Sequence, residues 1–386
     1  MSFTVLTKEE FIAHTSQASR LSFMQTSEMA DLFAKRGARI DYVGYRTPTG
    51  EIAVSALVYT LKMTGGLHMG ISAGPVFTDA TYLSPFYQAL KSYAKEKGAL
   101  ELVIKPYDPY QHFDSQGVAT SPAQAELITS LTDLGYQFDG LQTGYPDGEP
   151  SWHYVKDLTT LDADSLLTSF NKNSQRNIKK AKQLGITIRA LGRQELGTFA
   201  QLVQETGKRQ GFASKDIHYY QHFFDSFQSK AAFLVAEIQF RDAVRQLQTA
   251  LTTATSKQEK ASIEKAIALL EPFAERYGEE VVPLAAGLMI YLPSEVTYLF
   301  GGSDAHFQKL SAPFLLQYTS MQQAIEAKVP TYNFLGITGL FDGSDGVLRF
   351  KQNFNGSVIR LMGTFRYYPN PFKSKLLTLI KKIMGR

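Results

Sequence analysis

Apolar and polar positions along this chain repeat in two periods, and the changes between them mark out its elements. Residues 8–36 read as two helices broken near 21–26. Residues 40–45 and 52–61 read as a strand pair joined by the turn Thr47-Pro48-Thr49-Gly50. A further strand is expected at 67–71. Residues 82–97 form an amphipathic pattern that stops at Gly98, a helix with a glycine C-cap. The run 100–104 is continuously apolar, as expected of a strand at a sheet centre.

The same order then recurs. Residues 195–209 and 217–228 read as helices, 232–238, 284–292 and 295–300 as strands, 313–327 as a helix and 332–335 as a strand. Two α/β units of similar plan are therefore expected. The second is interrupted. Val244, Leu247 and Leu251, then Ile263, Ile267, Leu270 and Ala274, repeat at three- and four-residue steps on either side of a polar stretch. This predicts an antiparallel helical hairpin over 240–277, set between two strands. Its acids and cations nearly balance, whereas an RNA-gripping arm should be basic, so electrostatics favours a structural or partner-docking arm.

At the end of the chain, Phe372, Leu376, Leu379, Ile380 and Ile383 lie at helical spacing among Lys373, Lys375, Lys381, Lys382 and Arg386. Such a helix can pack its apolar stripe on the first domain, the reading favoured here, or lie on an anionic membrane surface.

Composition narrows the class. With 386 residues, 44% hydrophobic and 12% aromatic, the chain can bury two cores and is not a disordered segment. Cysteine is absent, which excludes disulfides, a thiol nucleophile and cysteine metal sites, and suits the cytoplasm. No signal-peptide pattern opens the sequence, and no apolar run reaches the roughly 18–20 residues that span a bilayer. Among the seven histidines only His218 and His222 stand at a helical ligand spacing, with no cysteine to complete a set, so no metal is expected.

The net charge of +4 conceals a strong asymmetry. Residues 165–194 carry seven Lys/Arg and no acid, and residues 346–386 carry nine and no acid. These blocks suit nucleic acid, anionic lipid or a pyrophosphate; a solvated basic face is the alternative for each. In the first block Lys172, Arg176, Lys179, Lys180 and Lys182 fall on one expected helix. In the second, GVLRFKQNFNG places Lys351 after Phe350 at the end of an expected strand. Together they suggest a site for phosphate-bearing substrates.

Several segments, in order and spacing, resemble the Fem/MurM (FemABX) family of non-ribosomal peptidyltransferases: Gln25-Thr26-Ser27-Glu28, IKPY at 104–107, 171–185, GKRQGF at 207–212, YLFGGSD at 298–304, YNFLGITG at 332–339 and GVLRFKQNF at 346–354. The hairpin is similar to the helical arm of several members. The resemblance implies an α/β (α+β) fold of two GNAT-like domains, 1–150 completed by 357–386 and 151–356, with the arm at 240–277. It implies transfer of Ala, Ser or Gly from aminoacyl-tRNA to the stem-peptide lysine of a UDP-linked or lipid-linked muramoyl-pentapeptide, without a cofactor, in the cytoplasm or at the inner face of the membrane through 372–386.

This reaction joins an amine to an activated ester, so alignment and oxyanion stabilisation carry it. By the resemblance, Lys351 is the oxyanion donor and Phe350 walls its pocket. Arg209, with Lys208 beside it, matches the family's diphosphate arginine. Where the family often has a lysine eight residues after the glutamine, this chain has Phe33, with Lys35 and Arg36 close by. Tyr107 matches the aromatic after the inner strand, and Asp108 is positioned in sequence to accept the proton of the attacking ammonium. Where the family has a tyrosine after Gly-Phe, this chain has Ala213; Tyr110, Tyr219 and Tyr220 are the alternative hydrogen-bonders. The basic helix is expected to contact tRNA. Gly301-Gly302-Ser303 suits either close backbone approach to a ligand or a plain hairpin exit. The competing classes are an acetyl-CoA-dependent acetyltransferase, for which no pyrophosphate loop is evident, a paralogue aminoacylating a lipid headgroup, and a non-catalytic RNA- or membrane-binding protein.

Overall fold

The computed structural model describes residues 2–383, and its chain divides into two compact units. One holds Met1–Val155, Leu335–Phe350 and Gly356–Arg386; the other holds Lys156–Phe334 and Lys351–Asn355. The stretch 335–350, read from sequence as part of the second domain, thus falls in the first unit.

In the first unit Ser2–Val5, Arg39–Arg46, Ile52–Met63 and Gly66–Ser72 form an antiparallel meander. The helix Leu83–Glu96 then carries the chain to Ala99–Lys105, which pairs in parallel with Gly66–Ser72. A parallel neighbour requires such a crossover. Phe365–Tyr367 and Gln137–Phe138 complete that edge. Phe86, Leu90 and Ala94 of the crossover helix are fully buried on one face, against Val43, Val54, Met69, Leu102 and Ile104 of the sheet. Gln25 of the opening motif is also fully buried. Its Nε2 donates to the Ser72 carbonyl at 2.8 Å and its Oε1 accepts from the Leu57 amide at 2.8 Å, tying two strands together. Elsewhere in this unit Ser357–Leu361 pairs with Pro109–Phe113 on one side and with residues 152–155 on the other.

The second unit repeats the plan. Thr187–Ala190, Ala231–Gln239, Val281–Tyr291 and Val296–Ser303 pair antiparallel in succession, and the helix Ala312–Glu326 leads to Thr331–Ile337, parallel to Val296–Ser303. Phe199, Tyr220, Phe223 and Phe233 fill its core. Between Ala231–Gln239 and Val281–Tyr291 the chain leaves the sheet as two helices, Phe240–Thr253 and Lys257–Tyr277. Val244 and Leu247 of one and Ile263, Ile267 and Leu270 of the other are buried, as the seam required. Ser256 caps the second helix by accepting from the Glu259 amide at 3.1 Å, and the Phe240 ring stacks on Phe273 at the base.

The C-terminal segment is a helix, Pro371–Ile383, as its spacing predicted, and it falls in the first unit. Leu377 meets the turn at Gly65, whereas Phe372 is 88% and Leu376 58% exposed. The side chains of Leu379, Ile380 and Ile383, and the whole of Arg386, lie outside what is described. No helix among the described residues is long and apolar enough to cross a membrane.

Candidate functional site

The acid-free block folds as the helix Lys172–Gln183, capped by Asn171, whose Oδ1 accepts from the Ser174 amide at 2.9 Å. Ser174, Ile178 and Ala181 are buried. Lys172, Arg176 and Lys179 are exposed and Lys180 is half-buried. No acid occupies the first turn. A cation there opposes the helix dipole at a cost of about 0.3–1 kcal/mol, so helix stability is not what places Lys172.

That cationic stripe forms one wall of a groove of about 770 Å³, and the second helix of the arm forms the other. Lys172, Arg176, Lys179 and Lys180 line one side, Ser262 and Lys265 the other, and no carboxylate lines it. Gln183 and Ser262 join the walls, Gln183 Nε2 donating to Ser262 Oγ at 3.0 Å. The near-balanced charge of the hairpin hid this, because charge balance ignores which face each side chain occupies. Lys182 stands apart: its Nζ lies 4.3 Å from the centre of the Tyr318 ring, outside the groove lining.

Lys351 is not on a strand. Gly346–Gln352 is a short helix whose start is fixed by Asp345. Asp345 Oδ1 accepts from the amides of Val347 (2.8 Å) and Leu348 (2.9 Å), and its Oδ2 from the Thr338 amide and hydroxyl (both 2.8 Å). These bonds hold its carboxyl below the usual range against the opposing effect of burial. The aspartate cap was the sequence signal that the strand reading overlooked. Leu348 and Lys351, one turn apart, are both buried, and Lys351 is 4% exposed, which excludes the ordinary surface lysine of an edge strand. Phe350 before it is half-buried.

Arg209 lies in the last turn of Leu196–Gln210, which ends at Gly211 in the left-handed region (φ 78°). Its guanidinium donates to the Ser303 carbonyl at 3.2 Å and to Thr206 Oγ1 at 3.3 Å, and it remains exposed, as does Lys208. The two are thus exposed cations anchored beside the end of Val296–Ser303. Gly302 has an intramolecular reason: a Cβ there would meet the Leu202 carbonyl oxygen at 2.3 Å, so it lets Leu196–Gln210 pack on the strand. In the first unit Lys35 is exposed and paired with Asp31 at 2.7 Å, while Arg36 is exposed at the C-cap of the same helix. Phe33, at the position of the family lysine, stacks on Tyr59.

Tyr107 is buried, with the Arg20 guanidinium 4.3 Å over its ring. Asp108 is half-buried, and burial raises its carboxyl above the ordinary value, with Arg20 acting in the opposite sense. Tyr110 is buried, 5.8 Å from the Arg360 guanidinium. Tyr220 is a correction. It is fully buried among Phe199, Phe233 and Phe300, and burial pushes its hydroxyl up to about 12, so it is a core residue rather than a substrate contact. Its apolar helical neighbours Phe223 and Phe227 carried that signal in the sequence.

Sequence reading missed Lys156. It follows the buried residues Trp152–Val155 on one strand, is 4% exposed, and burial brings its ammonium down to about 8.

The model of the FemAB family matches residues 6–382. The chain belongs to the FemAB family. Among curated proteins it is 26% identical over 419 residues to aminoacyltransferase FemA of Staphylococcus aureus, in strains RF122 / ET3-1 and COL alike, covering all of both chains. Among solved structures it resembles that of FemX, with a TM-score of 0.78 and 22% identity over 99% of this chain and 100% of the other. A tandem GNAT protein from the clavulanic acid biosynthesis pathway follows with a TM-score of 0.52 and 8% identity, over 96% and 99%. These two establish the fold. FemAB membership places the chain, at family level, among aminoacyltransferases of the peptidoglycan cross-bridge.

Proposed function

We propose that this chain transfers an amino acid (Ala, Ser or Gly) from aminoacyl-tRNA to the ε-amine of the stem-peptide lysine of a peptidoglycan precursor, either lipid II or UDP-MurNAc-pentapeptide. Family membership and full-length likeness to FemA support the reaction class. The observation that carries the choice of donor is the acid-free groove with cations on both walls, a shape and charge suited to a phosphodiester backbone.

In this reading Lys172, Arg176, Lys179, Lys180 and the arm's Lys265 hold the RNA. The acceptor amine attacks the ester carbonyl, a tetrahedral oxyanion forms, and the ribose hydroxyl leaves. Lys351 donates to the oxyanion while Phe350 limits water. Asp108, its carboxyl raised by burial, takes the proton from the nitrogen that attack has turned into an ammonium and returns it to the departing ribose oxygen, which leaves as the hydroxyl. Arg209 and Lys208 bind the diphosphate of the acceptor, with Lys35 and Arg36 as further cations. The exposed Phe372 and Leu376, flanked by exposed Lys373 and Lys375, dock the chain on an anionic membrane surface.

The test is a transfer assay with purified protein, tRNA charged with labelled alanine, serine or glycine, and both acceptor forms in parallel. Label is expected on a lysine-containing muropeptide. Folded protein that transfers to neither acceptor with intact aminoacyl-tRNA overturns the reading, and label on a lipid headgroup instead replaces its acceptor.

A further inference from the structure

A buried ammonium is costly unless it is held. Lys156 is held by the segment that follows Lys351. Its Nζ donates to the Asn355 carbonyl at 3.3 Å and lies 5.2 Å from the centre of the Phe170 ring. Asn355 sits in the left-handed region (φ 51°), which a non-glycine residue adopts only when its surroundings impose it, and its Nδ2 donates to the Ser169 carbonyl at 3.1 Å.

Two residues earlier the segment is held again. The Asn353 carbonyl accepts from the Asn171 amide at 3.2 Å. Asn353 Oδ1 accepts from Asn171 Nδ2 at 3.2 Å and from Asn173 Nδ2 at 2.9 Å. Between these points the Phe354 ring is fully buried, edge-on to Phe170 with centroids 5.2 Å apart, and its amide donates to the Lys351 carbonyl at 3.0 Å. Asn171 also caps the basic helix. One asparagine therefore fixes both the start of the cationic stripe and the turn that leaves Lys351.

We propose that Lys156, with Asn171 and Asn173 on Asn353, forms a positioning bracket that sets Lys351 relative to the helix of the basic groove. This rests on the reading of Lys351 as the oxyanion donor. None of the bracket residues touches a reacting atom; they act through Lys351. An oxyanion donor works only within about 2.7–3.1 Å of the developing charge, and a displacement of about 1 Å can cost about 100-fold in rate. Tying the lysine to the N-cap of the RNA-contacting helix makes the docked donor and the oxyanion donor parts of one rigid piece.

The experiment is a double-mutant cycle on the full chain, with kcat and KM measured for aminoacyl-tRNA and acceptor in Lys156→Met, Asn173→Ala, Lys351→Ala and each pair with Lys351→Ala. Methionine keeps the volume of Lys156 and removes its donor. Asn173 is half-buried on the helix surface, so its variant folds whatever Lys156→Met does. Lys156→Met is expected to lower kcat about 10-fold and Asn173→Ala about 3-fold, with each KM within about twofold of the parent. On the Lys351→Ala background neither should cost anything more, because groups that act through one residue are not additive with its loss. Losses that multiply with Lys351→Ala, or that fall on KM alone, overturn the bracket while leaving the role of Lys351 intact. Parental turnover in Lys351→Ala overturns both.

Discussion

At the scale of single residues, the chemistry expected here depends on how a few ionisable groups are held. Lys351→Ala is expected to lower kcat roughly 10²–10³-fold, the scale for losing one oxyanion donor, in steady-state transfer assays. Turnover near the parent would remove it from the mechanism. Asp108 lends itself to a pH experiment. Burial raises its carboxyl above the ordinary 3.8, so the base form is lost at a higher pH than in an exposed aspartate. Activity should therefore fall as pH drops through that raised value, and Asp108→Asn should lower kcat/KM and flatten this acid limb. The linkage has the opposite sense for stability. The folded protein keeps this proton to higher pH than the unfolded chain, so Asp108 costs stability as pH rises through its titration. Asp108→Asn should accordingly be at least as stable as the parent in thermal melts at pH 7. Unchanged pH dependence would leave the turn at Asp108-Pro109 as its only role. Tyr220 shows the limit of reasoning from residue type, since a tyrosine near a motif can be either a ligand contact or a ring in the core, and burial decides.

At the scale of elements, the basic helix and the arm matter as a pair. Lys179→Glu with Lys180→Glu reverses two charges on the groove wall without touching the buried Ile178 and Ala181. The double variant should raise KM for aminoacyl-tRNA at least 10-fold at physiological salt, with KM for the acceptor unchanged; identical kinetics for the donor would argue against the groove. The C-terminal helix makes a separate prediction. Phe372→Ser with Leu376→Ser should weaken co-sedimentation with vesicles containing anionic phosphatidylglycerol, with no effect on neutral phosphatidylcholine vesicles. Equal loss on both vesicle types, or no loss, would set aside the electrostatic docking of this helix.

At the scale of the whole molecule, a net charge of +4 understates how this protein should respond to salt. Five cations without a lining acid share one groove, so affinity for tRNA should fall with a log–log salt slope of roughly −3.5 to −4.5, as counterion release from about five phosphate contacts requires. A slope near zero in filter-binding titrations would mean that the groove takes no polyanion. The sequence by itself determined the elements: the period-two and period-3.6 runs, the glycine after the Leu83–Glu96 helix, the hairpin seam and the repeated meander–helix–strand order are all local and recur in the structure. It also determined the family, because several short segments kept their order and spacing. Tertiary structure alone decided which face each side chain took. Lys351 changed from an exposed strand end to a buried helix position because Asp345 bonds both to its own helix and to Thr338, seven residues back. The arm became a wall of the basic groove, although its composition spoke against RNA, because Lys265 and Ser262 face the helix Lys172–Gln183. Lys156 gained its place only when residues about 200 positions away folded onto it. Local pattern encodes periodicity and stops, whereas burial and pairing between distant residues depend on how the chain closes on itself.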